Sequence, residues 1–236
     1  MELANASLWG AFFAIVAANI LLSGDNAVVI AMAARSLPPE QQKKAVFWGS
    51  AAAIVMRVVL TVVAVQLLQV PYLKIIGGVL LLWIGVQLLI DSDDGGDIKS
   101  HGTMGAAIRT ILIADLVMSV DNVLAVAGAA DRAPEQYRLT LLIVGLALSI
   151  PLIIAGSTLL MKIMDRFPVI ITLGAALLGF LAGEMFVSDP ASAAWFKAHV
   201  PEADFLMGGG CAVLVVVVGL WLARRQHGDK GTHPAT

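Results

Sequence analysis

Apolar residues run through the chain in seven long stretches, separated by short polar segments. Each stretch holds about 20 or more mostly apolar residues, the length that a helix needs to cross a bilayer. The segments between them carry prolines, glycines and charges, as at residues 35–40 and 91–102. The stretches lie at about 8–34, 44–69, 72–90, 105–130, 138–162, 168–187 and 206–223. This pattern predicts seven transmembrane helices.

The composition agrees with a membrane protein and excludes several other classes. Of the 236 residues, 59% are apolar and 14% are charged, whereas about a quarter of the residues in a soluble domain are charged. That balance argues against most soluble enzymes, a disordered or collagen-like chain and a nucleic-acid-binding protein. The single cysteine, Cys211, excludes an internal disulfide and a multi-cysteine metal site. We therefore expect an all-α polytopic membrane protein.

Lysine and arginine residues are divided unevenly between the two sides of the predicted bundle. With the N-terminus outside, the loops after spans 1, 3 and 5 and the C-terminal tail hold ten of them, and the opposite side holds four. Positive residues collect on the cytoplasmic side of a membrane. We therefore expect an external N-terminus, a cytoplasmic C-terminus and a cytoplasmic acidic loop at 91–102.

A sequence repeat with an offset of 96 residues relates two parts of the chain. Residues 19–34 and 115–130 are identical at six of sixteen positions, and the same offset pairs Pro38 with Pro134. Each copy contains three predicted spans, so the second copy would enter the membrane from the opposite side, as in inverted-repeat transporters. The predicted organisation is a transport core at 1–190, with repeats at about 8–90 and 105–187, then a loop, the extra seventh helix and a tail at 191–236.

Four acidic side chains lie well inside predicted spans, where a charged group is costly. They are Asp25, Asp115, Asp121 and Glu184, and Arg57 is the basic residue at a similar depth. Four acids against one base leave a formal excess of three negative charges, which predicts that protons or a metal cation bind there. Oxygen ligands of this kind suit Mg²⁺, Ca²⁺ and Mn²⁺.

Polar residues at i, i+4 and i+7 share one face of a helix. The second copy has Asp115, Ser119 and Asn122 at this spacing, and the first copy has Asn19, Ser23 and Asn26. Asp25 and Asp121 lie off that face, so a helix break beside Gly24 would help to aim the ligands at one cation. We expect metal ligands at Asp25, Asn26, Asp115, Asp121 and Asn122. Further candidates for metal or proton coupling are Asn19, Ser23, Met118, Ser119 and Glu184.

Simpler structural interpretations of these residues stay open. Asp25 and Asp121 would then hydrogen-bond to neighbouring helices. Asp115 would neutralise Arg57, which serves as a gate or counter-charge, and Glu184 would be protonated and structural. The acidic loop would be a solvated segment. No HExxH, P-loop or GxSxG motif is present, so we do not expect an enzyme.

The two Asp-Asn motifs resemble those of the TerC family of integral membrane proteins. The resemblance rests on residues 22–31 and 114–125 and extends over both repeats, and it is closest to the small YjbE-type members. That family is associated with metal ions, chiefly Mn²⁺ efflux, and is grouped with the LysE-type exporters. The resemblance implies a bacterial inner-membrane Mn²⁺ exporter with Asp25, Asn26, Asp121 and Asn122 as motif residues. The chain departs from the subgroup at Asn19, where an acid is common.

Together these observations predict a divalent-metal transporter with its site near the membrane midplane, between spans 1 and 4. Its expected partners are the cation, with Mn²⁺ as cargo, the lipid bilayer and, as an option, a second copy of the chain. No permanently bound cofactor and no nucleic acid are expected. The alternatives are export of Ca²⁺ or of an organic substrate, whose carboxylate would bind Arg57, and a non-transporting module that loads metal or scaffolds a complex.

Overall fold

The computed structural model of the chain describes residues 9–10, 12–17, 23–67, 70–93, 103–130 and 135–230. These residues form helices and connecting turns, without a strand among them, as the composition predicts. A short helical stretch at 12–17 precedes eight helices. They are α1 (Ser23–Arg35), α2 (Pro39–Leu67), α3 (Leu73–Asp93), α4 (Met104–Ala130), α5 (Glu135–Arg166), α6 (Val169–Ser188), α7 (Ala193–His199) and α8 (Ala203–Lys230).

Four helices in the described part of the chain are long and apolar enough to cross a membrane. These segments are Leu73–Asp91, Ile143–Arg166, Val169–Ser188 and Ala203–Arg225. With 29 and 27 residues, α2 and α4 extend about 40 Å or more at 1.5 Å per residue, which also exceeds a hydrocarbon core of about 30 Å. The prediction of a helical membrane protein is confirmed, and the count of seven spans stays a prediction.

Prolines mark the beginnings of helices and one position inside a helix. Pro39 is the first residue of α2, and Pro168 directly precedes α6, positions where the missing N–H has no helical partner to lose. Pro151 lies inside α5 and removes one backbone hydrogen bond there. Membrane helices tolerate such a proline because packed neighbours and nearby side chains satisfy the freed backbone groups.

Helix α1 is the central helix of the described fold. Six consecutive residues, 29–34, are all buried, and α1 contacts α2, α3, α4, α5 and α6. A helix buried on every side needs apolar residues all round, and this segment consists of valine, isoleucine, alanine and methionine. The Asp-Asn motif of the first copy therefore lies just before this fully buried segment of α1.

Helices α1 and α5, from the two predicted repeats, run parallel. A Cβ atom at Gly156 of α5 would lie 3.7 Å from the Cβ of Ala27. Further towards the C-terminal ends of both helices, Arg35 Nε donates to Asp165 Oδ1 at 2.9 Å. Both elements therefore advance in the same direction, and an ion pair joins their C-terminal ends on the side that the lysine and arginine distribution assigns to the cytoplasm.

Helices α2 and α4 form a second parallel pair between the predicted repeats. A Cβ atom at Gly49 would lie 2.8 Å from Ile111 Cδ1, and two turns later Arg57 contacts Asp115. With the offset of 96 residues, α1 corresponds to α4 and α2 corresponds to α5. The two parallel pairs are therefore counterparts of each other, an arrangement compatible with the inverted repeat, which stays a prediction.

Helix α8, outside the predicted repeats, packs tightly against α6. A Cβ atom at Gly179 would lie 2.6 Å from the carbonyl oxygen of Cys211, and one at Gly183 would overlap the carbonyl oxygen of Met207. Only glycine permits such a close approach of two backbones, as in small-residue contacts between membrane helices. The extra helix is thus an integral part of the bundle.

The segment between α6 and α8 was predicted as a loop and contains the short helix α7. Its sequence, Ala193–His199, has alanines in its first and last turns, and alanine is the best helix former. Seven residues are too few for a hydrophobic periodicity to stand out, so the sequence did not indicate this helix. Its Trp195 is exposed.

Candidate cation site

The first Asp-Asn motif lies at the beginning of the described part of α1. The Asn26 side chain is buried, with 3% of the residue exposed, and the neighbouring Asp25 is half-buried. Gly24 is exposed, with open space around its Cβ position. A carboxylate and an amide therefore stand together at the edge of the packed interior.

A buried polar cluster joins α2 to α4. Arg57 Nη2 donates to Asp115 Oδ1, and Arg57 Nε donates to Ser119 Oγ at 3.1 Å. The Ser119 hydroxyl donates in turn to Asp115 Oδ2 at 3.3 Å. The three residues are 3%, 6% and 0% exposed, respectively. They form a closed ring in which the guanidinium group neutralises the carboxylate.

The geometry of α4 accounts for the contact between Asp115 and Ser119 in this ring. Asp115 and Ser119 are separated by one turn of α4, so their side chains share a face, as their spacing predicts. The contact with Arg57 is the one that the structural interpretation of Asp115 anticipated. Because both Asp115 oxygens already accept hydrogen bonds, the role of Asp115 as a cation ligand stays a prediction.

The remaining candidates are only partly described. Met118 is buried in the hydrophobic core, and Glu184 of α6 is half-buried and engaged in an interaction. Asn19 lies outside the described residues, as do the side chains of Ser23, Asp121 and Asn122. Within the described residues, no group of three His, Cys, Asp or Glu side chains is placed to hold a metal ion.

Two buried hydroxyl groups were not singled out from the sequence. Ser50 of α2 and Ser157 of α5 are almost fully enclosed, and neither Oγ has a hydrogen-bond partner among the described residues. Ser50 precedes Arg57 by seven residues, so both lie on one face of α2. Serine is common in membrane helices, so sequence alone gave no reason to select them.

Asp189, just after α6, was also missed, and it is the most densely hydrogen-bonded side chain described. Its Oδ1 accepts from the N–H groups of Ala191 at 2.8 Å and Tyr72 at 2.9 Å. Its Oδ2 accepts from Lys74 at 3.1 Å and Ile75 at 3.4 Å. Burial alone raises the pKa of Asp189, but these four backbone hydrogen bonds outweigh it and hold the pKa below its ordinary value. Asp189 therefore caps the beginning of α3.

Comparison with known proteins gives a consistent result over nearly the whole chain. Residues 4–227 match the sequence profile described as Integral membrane protein TerC family. The chain is 43% identical over 185 residues to the Bacillus subtilis (strain 168) protein described as Uncharacterized membrane protein YjbE, covering 78% of this chain and 83% of that protein. It is 24% identical over 209 residues to Uncharacterized membrane protein YceF of the same organism, covering 84% and 77%, respectively. No solved structure gives a significant match.

Proposed function

The chain belongs to the TerC family of integral membrane proteins, and on this premise we propose that it is a divalent metal transporter that exports Mn²⁺ from the bacterial cytoplasm through the inner membrane. The family is associated with metal ion transport, and its members are transporter-like membrane proteins rather than enzymes. The ion would bind between α1 and α4, near the membrane midplane.

The observation that carries the proposal is the enclosed Asp-Asn motif of α1. Half-buried Asp25 and buried Asn26 lie on α1, which contacts five other helices, directly before its fully buried segment. A carboxylate at such a position is costly without a positive partner. A cation that leaves water for this position would gain carboxylate and amide oxygens as ligands.

The charge balance supports a cation and argues against an organic anion. Arg57 is already bound to Asp115, so the pair contributes no net charge. Asp25, Asp121 and Glu184 are the other three acids that the sequence places within predicted spans. An amino-acid substrate would need Arg57 for its carboxylate, and this use would strip Asp115 of its counter-charge.

The chemistry of the expected ligands, together with the family resemblance, favours Mn²⁺ as the transported ion. Asp25, Asn26, Asp121 and Asn122 offer carboxylate and amide oxygens, which suit Mg²⁺, Ca²⁺ and Mn²⁺. Zinc, nickel and copper favour imidazole or thiolate, and the four histidines lie in predicted loops or in the tail. The resemblance to a family linked with Mn²⁺ efflux selects Mn²⁺ among the remaining ions.

The proposed mechanism is alternating access between two three-helix halves. The parallel pairs α1–α5 and α2–α4 join the predicted repeats, so a rocking motion of one half against the other would change the surroundings of the motif residues. No nucleotide-binding motif is present in the sequence. An ion gradient or the Mn²⁺ gradient itself would therefore drive transport.

Manganese accumulation in cells tests the proposal. Wild type, Asp25→Asn and Asp121→Asn are expressed in bacteria that lack their own Mn²⁺ exporters, with Asp204→Asn, an exposed position in α8, as the matched control. Wild type and the control should lower intracellular Mn²⁺ severalfold under Mn²⁺ stress, and the two motif variants should resemble the empty vector. Equal accumulation in all strains, at equal protein levels in the membrane, would refute Mn²⁺ export.

Flux into proteoliposomes separates the proposal from its alternatives. Mn²⁺ should enter vesicles that contain the purified wild type, and excess Ca²⁺ should compete weakly. A dominant Ca²⁺ flux would identify a calcium transporter. Metal binding by the purified protein without any flux would instead indicate a metal-loading module.

A further inference from the structure

In the ring of Arg57, Asp115 and Ser119, the permanent positive charge of Arg57 lies against Asp115, a predicted cation ligand. All three side chains are buried, and the ring bridges α2 of the first predicted repeat and α4 of the second. A buried ion pair is weak support for stability by itself, because desolvation of both charges offsets their attraction. Its retention in an apolar bundle therefore calls for a specific role.

The 96-residue repeat shows which residues stand at the corresponding positions of the other interhelical pair. At the offset of 96 residues, Asp115 corresponds to Asn19 and Arg57 corresponds to Ile153. Ile153 is buried in the hydrophobic core of α5. The acid and the arginine thus both belong to the α2–α4 pair, and the offset places neutral residues at both corresponding positions of the counterpart pair, span 1 and α5. Arg57 is therefore explained by the charge of Asp115, because the corresponding position in α5 is filled by an apolar residue.

The location of Asp115 connects this pair to the transport site. Asp115 precedes Asp121 on α4 by six residues, about 9 Å along the helix axis. A divalent cation held by Asp121 would be attracted by Asp115 and repelled by Arg57. In a poorly solvated interior such interactions between charges are far stronger than in water. A cation that reaches Asp115 from this position would compete with Arg57 for the same carboxylate.

We propose that Arg57 is a tethered competitor of the transported cation. It occupies Asp115 in the empty carrier and is displaced from it when the divalent cation binds, which limits affinity and permits release. This inference rests on the proposed function, because it assumes a cation near Asp121. Ser119 holds the carboxylate and the guanidinium group in register through its two hydrogen bonds.

A binding cycle on the full-length protein in lipid nanodiscs tests the competition. The electron paramagnetic resonance signal of free Mn²⁺ measures binding to wild type, Arg57→Gln, Arg57→Lys and Asp115→Asn. Arg35→Gln, from the exposed pair with Asp165, is the matched control. Arg57→Gln should bind Mn²⁺ at least about tenfold more tightly than wild type and release it more slowly, whereas Arg57→Lys and the control should stay within about threefold.

The doubly neutral variant keeps the test decisive if Arg57→Gln does not fold. Arg57→Ile with Asp115→Asn copies the neutral residues Ile153 and Asn19 at the corresponding positions and leaves neither position 57 nor position 115 charged. Asp115→Asn alone retains an uncompensated Arg57 and should bind Mn²⁺ at least about tenfold more weakly than the double variant. Equal affinities of these two proteins would overturn the proposal, because the charge of Arg57 would then have no effect on the cation.

The outcomes also separate this inference from the proposed function. If wild type neither binds nor transports Mn²⁺, both fail. If wild type binds and transports Mn²⁺ but all variants have the same affinity, the transport function stands and the competitor role is refuted. Lower thermal stability of the single variants with unchanged Mn²⁺ affinity would likewise show that the pair only supports the fold.

Discussion

Asp189 holds the beginning of α3 from the far end of α6, and its replacement by alanine removes the acceptor of four backbone N–H groups at once. Three of these groups belong to residues 72, 74 and 75. The residue is 0% exposed, so water does not readily replace the lost acceptor. The positive end of the α3 dipole also loses a nearby negative charge.

The cost can be estimated from these contacts. Loss of an N-cap side chain destabilises a protein by about 0.5–2 kcal/mol. A single hydrogen bond to a charged group contributes about 1.5–3 kcal/mol, but the four bonds here share one carboxylate, so their contributions do not add in full. We therefore expect Asp189→Ala to lower the free energy of unfolding by about 3 kcal/mol. Asp189→Asn retains one oxygen acceptor and should cost about half as much. For a chain of this size, about 3 kcal/mol corresponds to a fall in Tm of about 6–12 °C.

Thermal unfolding in detergent, followed by the fluorescence of the five tryptophans, measures this effect. Asp204→Ala removes an exposed aspartate from the first turn of α8, a charge that contributes about 0.3–1 kcal/mol, so it should lower Tm by only about 1–4 °C. If Asp189→Ala unfolds together with this control, the capping argument is wrong.

The pH dependence of the same variants has a definite sign. Because the pKa of Asp189 is lowered in the folded protein, its contribution is fully present above the unfolded pKa of about 3.9. It is lost as the pH falls through the lower folded pKa. The Tm difference between wild type and Asp189→Asn should therefore be constant from pH 5 to pH 8, within about 1 °C, and shrink below about pH 4.

Three further predictions concern packing, backbone strain and an exposed ion pair. Gly183→Ala should cost about 1–3 kcal/mol because its Cβ overlaps the backbone of α8, whereas Gly209→Ala, with open space around it, should cost nothing in the same thermal assay. Glu202 has a positive φ of 55°, so Glu202→Gly should raise Tm, because the relief of about 1–2 kcal/mol of left-handed strain exceeds the cost of about 0.4–1 kcal/mol for the greater freedom of glycine in the unfolded chain; an unchanged or lower Tm would contradict this. A double-mutant cycle on Arg35→Ala and Asp165→Ala should give a coupling below about 1 kcal/mol that decreases with salt, and a larger, salt-independent value would contradict the exposed geometry.

The positions of the membrane helices followed from the sequence where the apolar runs end at strong signals. The run predicted at 72–90 corresponds to Leu73–Asp93, and that at 168–187 corresponds to Val169–Ser188. Both begin beside a proline, which fixes the start of a helix. The last run was predicted at 206–223 and extends over Ala203–Lys230, because polar residues at a helix end continue the backbone pattern without contributing hydrophobicity.

The candidate site was predictable along a helix but not between helices. The spacing of Asp115 and Ser119 placed them on one face, since i and i+4 always meet on a regular helix. The link to Arg57 spans 58 residues of sequence, so it depends on how α2 packs against α4. Asp189 and the beginning of α3 are 114 to 117 residues apart, and no local pattern indicates such a contact.

The packing of α2 against α4 also has a consequence for the synthesis and membrane insertion of the protein. Arg57 is synthesised 58 residues before Asp115, which at about 5–20 residues per second is an interval of about 3–12 s. Throughout that time the nascent α2 contains the guanidinium group of Arg57 before its partner Asp115 has been made. We therefore expect the insertion machinery to shelter this helix, or to hold it at the water interface, until α4 emerges.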